Sequence, residues 1–131
     1  MGPYVVLLQT DEDDKEITQS VLAEINTTIP MVFIAGVDDL KETIAVSGEP
    51  RVILLNDSSR HTAREQLTRL KAEPAYNHIP VVILGEIVAD EYIRQYYRQG
   101  ASTYITKPST IAGTKKKIET FFRYWFDTAE V

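Results

Sequence analysis

Side chains that commonly carry out catalysis are scarce in this sequence. The chain contains no cysteine, so it has no disulfide, no thiolate metal ligand and no cysteine nucleophile. Its two histidines, His61 and His78, lack the partner ligands that a metal site or a histidine-based triad needs. The remaining candidates for chemistry are carboxylate, amide and lysine side chains that follow apolar segments.

An acidic stretch follows the first apolar segment of the chain. The residues after Leu8 read Gln9-Thr10-Asp11-Glu12-Asp13-Asp14. Asp13 is expected to cap a helix, because Glu16 follows three residues later, and the other acids are favourable charges near that helix's N-terminus. Asp11 is the acid expected to reach back towards the end of the apolar segment.

Length and composition predict one globular domain over residues 1–131, since 44% of the 131 residues are hydrophobic. The net charge of -5 is spread along the chain, which gives no support to nucleic-acid or anionic-membrane binding. The basic run 115–117 is expected to be a solvated helix face. We expect a cytoplasmic location, because the chain lacks cysteine and starts without a signal-like or membrane-spanning segment.

Five short apolar segments are predicted to be strands. They are residues 4–8, 31–35, 52–55, 81–84 and 103–105. These segments are largely β-branched or aromatic and do not alternate with polar residues, which is typical of parallel strands covered on both faces.

Segments with helical spacing separate these strands. The predicted helices begin at Asp13, Asp38, about Ala63, Asp90 and Thr110, and they end before Pro30, at Gly48, before Pro74, near Gln99 and towards Thr128. Strands that alternate with helices predict an α/β doubly wound domain with right-handed crossovers. Periodicity alone does not give the order of the strands.

Four stretches in this order and spacing resemble the receiver domain of response regulators. They are residues 5–8 with the acidic loop, 77–84, 100–108 and the aromatic tail 121–126. The resemblance covers nearly the whole chain and is strongest to stand-alone receivers that partner bacterial photoreceptor and hybrid kinases. It implies a flavodoxin-like, five-stranded parallel sheet of order 2-1-3-4-5 with five helices, and a site at the carboxyl ends of strands one and three.

The resemblance also indicates which site residues have changed. Receivers hold Mg²⁺ with two adjacent carboxylates after strand one, where this chain has Gln9 and Thr10. They accept a phosphoryl group on an aspartate after strand three, where this chain has Asn56, and an amide cannot act as that nucleophile. The neighbouring Asp57 should point to the opposite side of the sheet, so we expect it to be a solvated loop or helix-capping residue.

Two further receiver positions are Gly85 and Lys107. Receivers carry a serine or threonine hydroxyl where this chain has Gly85, so no hydroxyl can follow a phosphoryl group here. Lys107 matches the lysine that contacts phosphoryl oxygens, and we expect it to pair instead with Asp57 or Asp11. Pro108 implies the cis peptide that is usual at this position. Lys107 without its usual partners favours preserved architecture over preserved chemistry.

Aromatic residues are concentrated in the last third of the chain. On the fourth helix, Tyr92 and Tyr96 form one line while Ile93 and Tyr97 form the next, and burying both lines would need an unusually wide stripe. In receivers the fourth helix, fifth strand and fifth helix form the face used for dimers and targets. The expected interaction residues are Ile93, Tyr97, Tyr104, Tyr124 and Trp125, with Tyr104 matching the family's aromatic switch.

The sequence therefore predicts a pseudo-receiver, a non-enzymatic signalling module with no catalytic residue and no cofactor. Its expected partner is a histidine kinase, a photoreceptor or another receiver, or else a second copy of the chain in a homodimer through the same face. One alternative is a receiver phosphorylated on Asp57, with Asp11 helping to hold Mg²⁺. A second is a small-ligand module that uses the strand-end crevice, although no glycine-rich phosphate loop follows strand one.

Overall fold

Strands and helices alternate along the chain in the computed structural model, which describes residues 2–8, 12–25, 28–58, 62–86, 88–107 and 110–128. The strands are β1 (Val5–Leu8), β2 (Met31–Ile34), β3 (Val52–Asn56), β4 (Val81–Gly85) and β5 (Thr103–Thr106). The helices are α1 (Glu12–Ile25), α2 (Leu40–Ser47), α3 (Arg64–Ala72), α4 (Asp90–Arg98) and α5 (Ile111–Phe122). None of the helices in these described ranges is long and apolar enough to cross a lipid bilayer.

The five strands form one parallel sheet in the order β2-β1-β3-β4-β5. This is the flavodoxin-like order that the resemblance implied, so the predicted fold class is confirmed. In register, Leu8 lies opposite Leu55, and Asn56 lies opposite Leu84. The carboxyl ends of β1, β3 and β4 therefore meet at one edge, which is where ligands bind in open parallel sheets.

Side chains alternate between the two faces of the sheet, because successive residues of a strand point in opposite directions. On β3, Ile53 and Leu55 pack with buried residues of α2, α3 and α4. Val52 and Leu54 pack with Phe121 of α5 and with Trp125 just beyond its end. The helices thus cover the sheet on both faces. Nearly continuous apolar strands follow from this double coverage, as the sequence pattern predicted.

Several helix ends differ slightly from the predictions. Helix α1 begins at Glu12, so Asp13 lies in the first turn instead of capping the helix. The predicted start at Asp38 falls in a 3₁₀ turn, Val37–Asp39, which leads into α2. That helix ends before Gly48, as predicted, and a φ of 81° explains the glycine there. A wider π-helical turn, Arg123–Thr128, continues α5.

Candidate functional site

The end of β3 carries an amide that is bonded to the lysine after β5. The Oδ1 atom of Asn56 accepts a hydrogen bond from Nζ of Lys107 at 2.8 Å. Sheet order explains the contact, because β4 alone separates the two strands and their carboxyl ends lie at the same edge. The expected pairing of Lys107 with Asp57 is wrong, because the Asp57 carboxylate faces Ala63, Tyr92 and Tyr96 on the opposite side of the sheet. The other expected partner, Asp11, lies outside the described residues.

Asp57 is buried, with 2% of its surface exposed, and its carboxylate is held by three donors. Its Oδ1 accepts from the backbone N–H of Ala63 at 2.8 Å and from the Tyr96 hydroxyl at 2.5 Å. Its Oδ2 accepts from the Tyr92 hydroxyl at 2.7 Å. Asp57 therefore links the end of β3 to the start of α3 and to α4. Two roles were expected for Asp57, a solvated loop residue or a helix-capping residue. The solvated position is wrong, whereas the bond to the N–H of Ala63, the N-cap residue of α3, lies at the start of that helix.

The direction of Asp57 follows from the alternation of side chains along β3. Ile53 and Leu55 face α3 and α4, so the residue two positions after Leu55 faces the same helices. Asn56 takes the other direction and meets Lys107. The hydroxyls of Tyr92 and Tyr96 give the carboxylate its donors, and burial together with donation to Asp57 raises the pKa of both hydroxyls. Both tyrosines therefore stay neutral donors at physiological pH.

The ring of Tyr104 fills the space beside Gly85. A Cβ atom at residue 85 would lie 2.3 Å from the Tyr104 hydroxyl oxygen and 2.8 Å from Cζ, far inside van der Waals contact. The hydroxyl donates to the carbonyl of Glu86 at 3.0 Å, and the residue is only 9% exposed. The buried position of the Tyr104 ring therefore requires a glycine at position 85.

Five residues discussed in the sequence analysis, three of them predicted site residues, lie outside the described part of the chain. They are Gln9, Thr10, Asp11, His61 and Pro108. Within the described ranges, no group of three or more histidine, cysteine, aspartate or glutamate side chains could hold a metal ion. Asp57 was a weak metal-ligand candidate in the sequence, and both of its carboxylate oxygens accept hydrogen bonds from Ala63, Tyr92 and Tyr96.

A small crevice lies at the strand ends, with a volume of about 140 Å³. Its described lining is Leu8, Ala35, Leu55, Asn56, Thr62, Ala63 and Gln66. Pockets for small ligands commonly measure about 300–1,000 Å³. This crevice gives the small-ligand alternative no support.

A larger groove, of about 780 Å³, lies between α4, β5 and α5. Four of the five expected interaction residues line it: Ile93, Tyr104, Tyr124 and Trp125. Tyr124 is 51% exposed and Tyr97, on the adjoining surface of α4, is 46% exposed. Trp125 and Tyr104 are mostly buried, so they form the floor of the groove and not its rim. The structure thus places the expected interaction residues on one face. Tyr97 and Tyr124 are exposed there, whereas Tyr104 and Trp125 lie at the floor of the groove.

Two side chains at this groove bond to the open edge of β5, and the sequence did not predict these contacts. The backbone N–H of Tyr104 donates to the hydroxyl of Tyr97 at 3.1 Å. Nζ of Lys117 donates to the carbonyl and to Oγ1 of Thr106, both at 2.8 Å. Lys117 was expected to be only part of a solvated helix face. The basic run 115–117 gives no local signal that separates Lys117 from the two lysines before it.

No protein-family model matches the chain. A probable methanogenesis regulatory protein of Methanothrix harundinacea is 29% identical over 77 residues, which are 58% of this chain. The matched stretch spans half, 50%, of that protein's length.

Solved structures give a fuller comparison. A response regulator in red light signalling of R. palustris superposes with a TM-score of 0.85 at 20% identity, covering 98% of this chain and 97% of that one. The phosphorylated cyanobacterial phytochrome response regulator RcpA gives 0.79 at 22% identity, covering 99% and 98%. The bacteriophytochrome response regulator AtBRR gives 0.69 at 19% identity, covering 100% and 96%. The chain therefore has the fold of response-regulator receiver domains.

Proposed function

We propose that this protein is a receiver-type module of two-component signalling that acts by binding proteins and not by aspartyl phosphorylation. In this proposal the strand-end site is a structural element without catalytic activity. The face formed by α4, β5 and α5 carries the signal to a partner.

One observation carries the proposal: the two residues at the end of β3 are both committed to structural bonds. Asn56, in the acceptor position, has no carboxylate and bonds to Lys107. Asp57 points to the other side of the sheet, where it accepts from Ala63, Tyr92 and Tyr96. Phosphorylation of Asp57 would require the carboxylate to leave these donors and the interior, so the alternative acceptor is disfavoured.

The pairing of Gly85 with Tyr104 supports the same proposal. A receiver that responds to a phosphoryl group needs a side chain that moves towards it, and Gly85 has none. The buried ring of Tyr104 also occupies the space that such a side chain would need. A fixed aromatic residue at this position favours a module that keeps one conformation.

The groove between α4, β5 and α5 supports protein binding, because aromatic residues such as Tyr97 and Tyr124 are enriched in protein interfaces. The solved neighbours include response regulators of phytochrome systems. We therefore propose a histidine kinase, a photoreceptor or another receiver as the partner, with a homodimer through the same face as a further form. A cytoplasmic location is part of this proposal.

Intact-mass spectrometry after incubation with acetyl phosphate and Mg²⁺ tests the chemistry. We expect no phosphoryl adduct on the natural protein. Asn56→Asp alone should remain poorly reactive, because Gln9, Thr10 and Gly85 also differ from the receiver pattern and residues that act as a unit do not contribute separately. A phosphorylatable receiver treated in parallel serves as the positive control.

The informative contrary result is an adduct on the natural protein. If the adduct disappears in Asp57→Asn but persists in Asp39→Asn, Asp57 is the acceptor and the proposal of a phosphorylation-independent module is wrong. Asp39 is a suitable control because it is exposed and its side chain makes no capping hydrogen bond.

A further inference from the structure

The two edges of the sheet differ in how their outward backbone groups are bonded. At the β5 edge, the N–H of Tyr104 donates to the Tyr97 hydroxyl, and the carbonyl of Thr106 accepts from Lys117. The other edge is β2, which pairs with β1 alone. An edge strand whose outward groups are not occupied is a template for pairing with another strand.

The backbone groups of β2 that face outward belong to Met31 and Phe33. Val5 of β1 donates to the carbonyl of Pro30, and the two strands run in parallel register with Val5 opposite Met31. Successive residues of a strand bond alternately to the two sides, so Val32 bonds to β1 and its neighbours face away. Among the described residues, none bonds to these outward N–H and C=O groups of Met31 and Phe33.

The side chains of β2 favour a further strand. All four residues, Met31–Ile34, are apolar and partly exposed, whereas those of β1 are buried. Edge strands commonly carry charges or proline that prevent pairing, and β2 has neither within its length. Met31 and Phe33 pack on the side of α5, and Val32 and Ile34 pack on the side of α2 and α3. A strand added here must therefore be apolar on both faces.

The β2 strand of a second copy meets these requirements. The added strand must be apolar on both faces and must have one edge free. Among the described strands, β1, β3 and β4 have neighbours on both sides, and side chains occupy outward groups of β5. The β2 edge is thus complementary to itself, as a contact with two-fold symmetry requires. Because β2 is uncharged, no like charges oppose each other along the pairing line, despite the net charge of -5.

The charge of Lys15 selects the register of this pairing. In an antiparallel pair centred near the middle of β2, Phe33 lies opposite either Met31 or Phe33 of the second copy. Nζ of Lys15 lies 5.5 Å from the centre of the Phe33 ring, so pairing Phe33 with itself would bring two ammonium groups together. Pairing Phe33 with Met31 separates them and places Val32 of both copies on the two-fold axis.

We propose that two copies of this chain associate through antiparallel pairing of their β2 strands, with Val32 on the axis, to form one continuous sheet across both copies. A contact of four residues on each side is small beside the roughly 1,200–2,000 Å² of stable interfaces. The dimer should therefore be weak, with a dissociation constant of about 10–100 μM. It is independent of the proposed function, and it leaves the two faces formed by α4, β5 and α5 free at opposite ends, on the order of 40 Å apart at about 4.8 Å per strand.

Analytical ultracentrifugation of the full-length protein, over concentrations that span the expected dissociation constant, tests the association. Met31→Lys should weaken the dimer about tenfold or more, because it places two ammonium groups at the line of contact and lysine on an edge strand prevents pairing. Ala72→Lys is the matched control, since it adds the same charge at an exposed position of α3. This control should leave the association unchanged.

Disulfide trapping determines the register, because the chain contains no cysteine of its own. Val32→Cys should cross-link two copies under mild oxidation, since directly opposed residues on the axis have Cα atoms about 4.5 Å apart, within the range of a disulfide. Phe33→Cys and the exposed control Ala72→Cys should cross-link about tenfold more slowly, because the dimer does not hold their thiols together. These cysteine variants decide the question if Met31→Lys does not fold.

Four results would overturn this dimer. A monomer at every concentration, or association that Met31→Lys leaves unchanged and Tyr124→Asp abolishes, would show that β2 does not pair with itself. Faster cross-linking of Phe33→Cys than of Val32→Cys would refute the register that Lys15 selects. An extended apolar peptide that binds at β2 while the chain stays monomeric would identify a strand of another protein as the occupant. A phosphoryl adduct in the mass assay bears on the proposed function alone.

Discussion

Replacing Asp57 with alanine should destabilise the protein and loosen α4. The carboxylate receives hydrogen bonds from Ala63, Tyr92 and Tyr96. Removing the carboxylate leaves the Tyr96 hydroxyl without its acceptor, and Tyr96 has no exposed surface. The Tyr92 hydroxyl is less buried and can turn to water.

The magnitude follows from these differences among the three donors. A buried donor left without a partner costs about 1–3 kcal/mol. The N–H of Ala63 retains a second acceptor, the Tyr96 hydroxyl oxygen at 3.1 Å, so its loss is partial. Removing a buried charge offsets part of the cost. We expect Asp57→Ala to lower the free energy of unfolding by about 2–4 kcal/mol, and the melting temperature by about 10 °C for a domain of this size.

Asp57→Asn separates the loss of charge from the loss of the acceptor. The amide oxygen can still accept from Ala63 and Tyr96, so we expect a cost of about 1 kcal/mol, the difference between a charged and a neutral acceptor. Asp39→Ala, at an exposed position, should change stability by less than about 0.5 kcal/mol.

Urea unfolding measures these differences, and amide hydrogen exchange locates them. In Asp57→Ala, amides of α4 should exchange faster while those of α5 change little, because the lost donors belong to α4 and to the start of α3. If Asp57→Ala is as stable as the natural protein, or if α4 and α5 loosen equally, the carboxylate does not hold α4 and the reasoning is refuted.

Two further predictions concern Tyr104. Gly85→Ala should expel the Tyr104 ring, since the new Cβ would overlap the hydroxyl, and should lower the free energy of unfolding by about 1–3 kcal/mol. Gly36→Ala is the control, because its new Cβ has only ordinary contacts, and it should be nearly neutral. Equal costs for the two variants would contradict the proposed overlap. Burial raises the pKa of the Tyr104 hydroxyl from 10.0 to about 12. The stability that the neutral, buried hydroxyl contributes is therefore complete below pH 10 and is lost as the pH rises to about 12. Titration of tyrosinate absorbance should show a high-pH component that Tyr104→Phe removes, and an unchanged titration in that variant would contradict this assignment.

The sequence alone determined most of the secondary structure. Continuous apolar segments marked the strands, because parallel strands are buried on both faces, and helical spacing marked the segments between them. Helix ends shifted by a few residues, as at Asp13, because a helix start depends on local hydrogen bonds that spacing does not specify. The alternation of side chains also predicted that Asn56 and Asp57 point to opposite faces of the sheet.

Only the tertiary structure decided which side chains those two residues meet. Tyr92 and Tyr96 lie 35 and 39 residues from Asp57 along the chain, and their contact with it depends on how α4 is rotated and placed against β3. Periodicity showed that these tyrosines share a line on the helix, but not what that line faces. The fit of Tyr104 against Gly85 likewise depends on the register of β5 beside β4. Local sequence patterns encode the elements and their faces, whereas strand order, register and helix rotation are set by the packing of the whole domain, and these produced the contacts on which function depends.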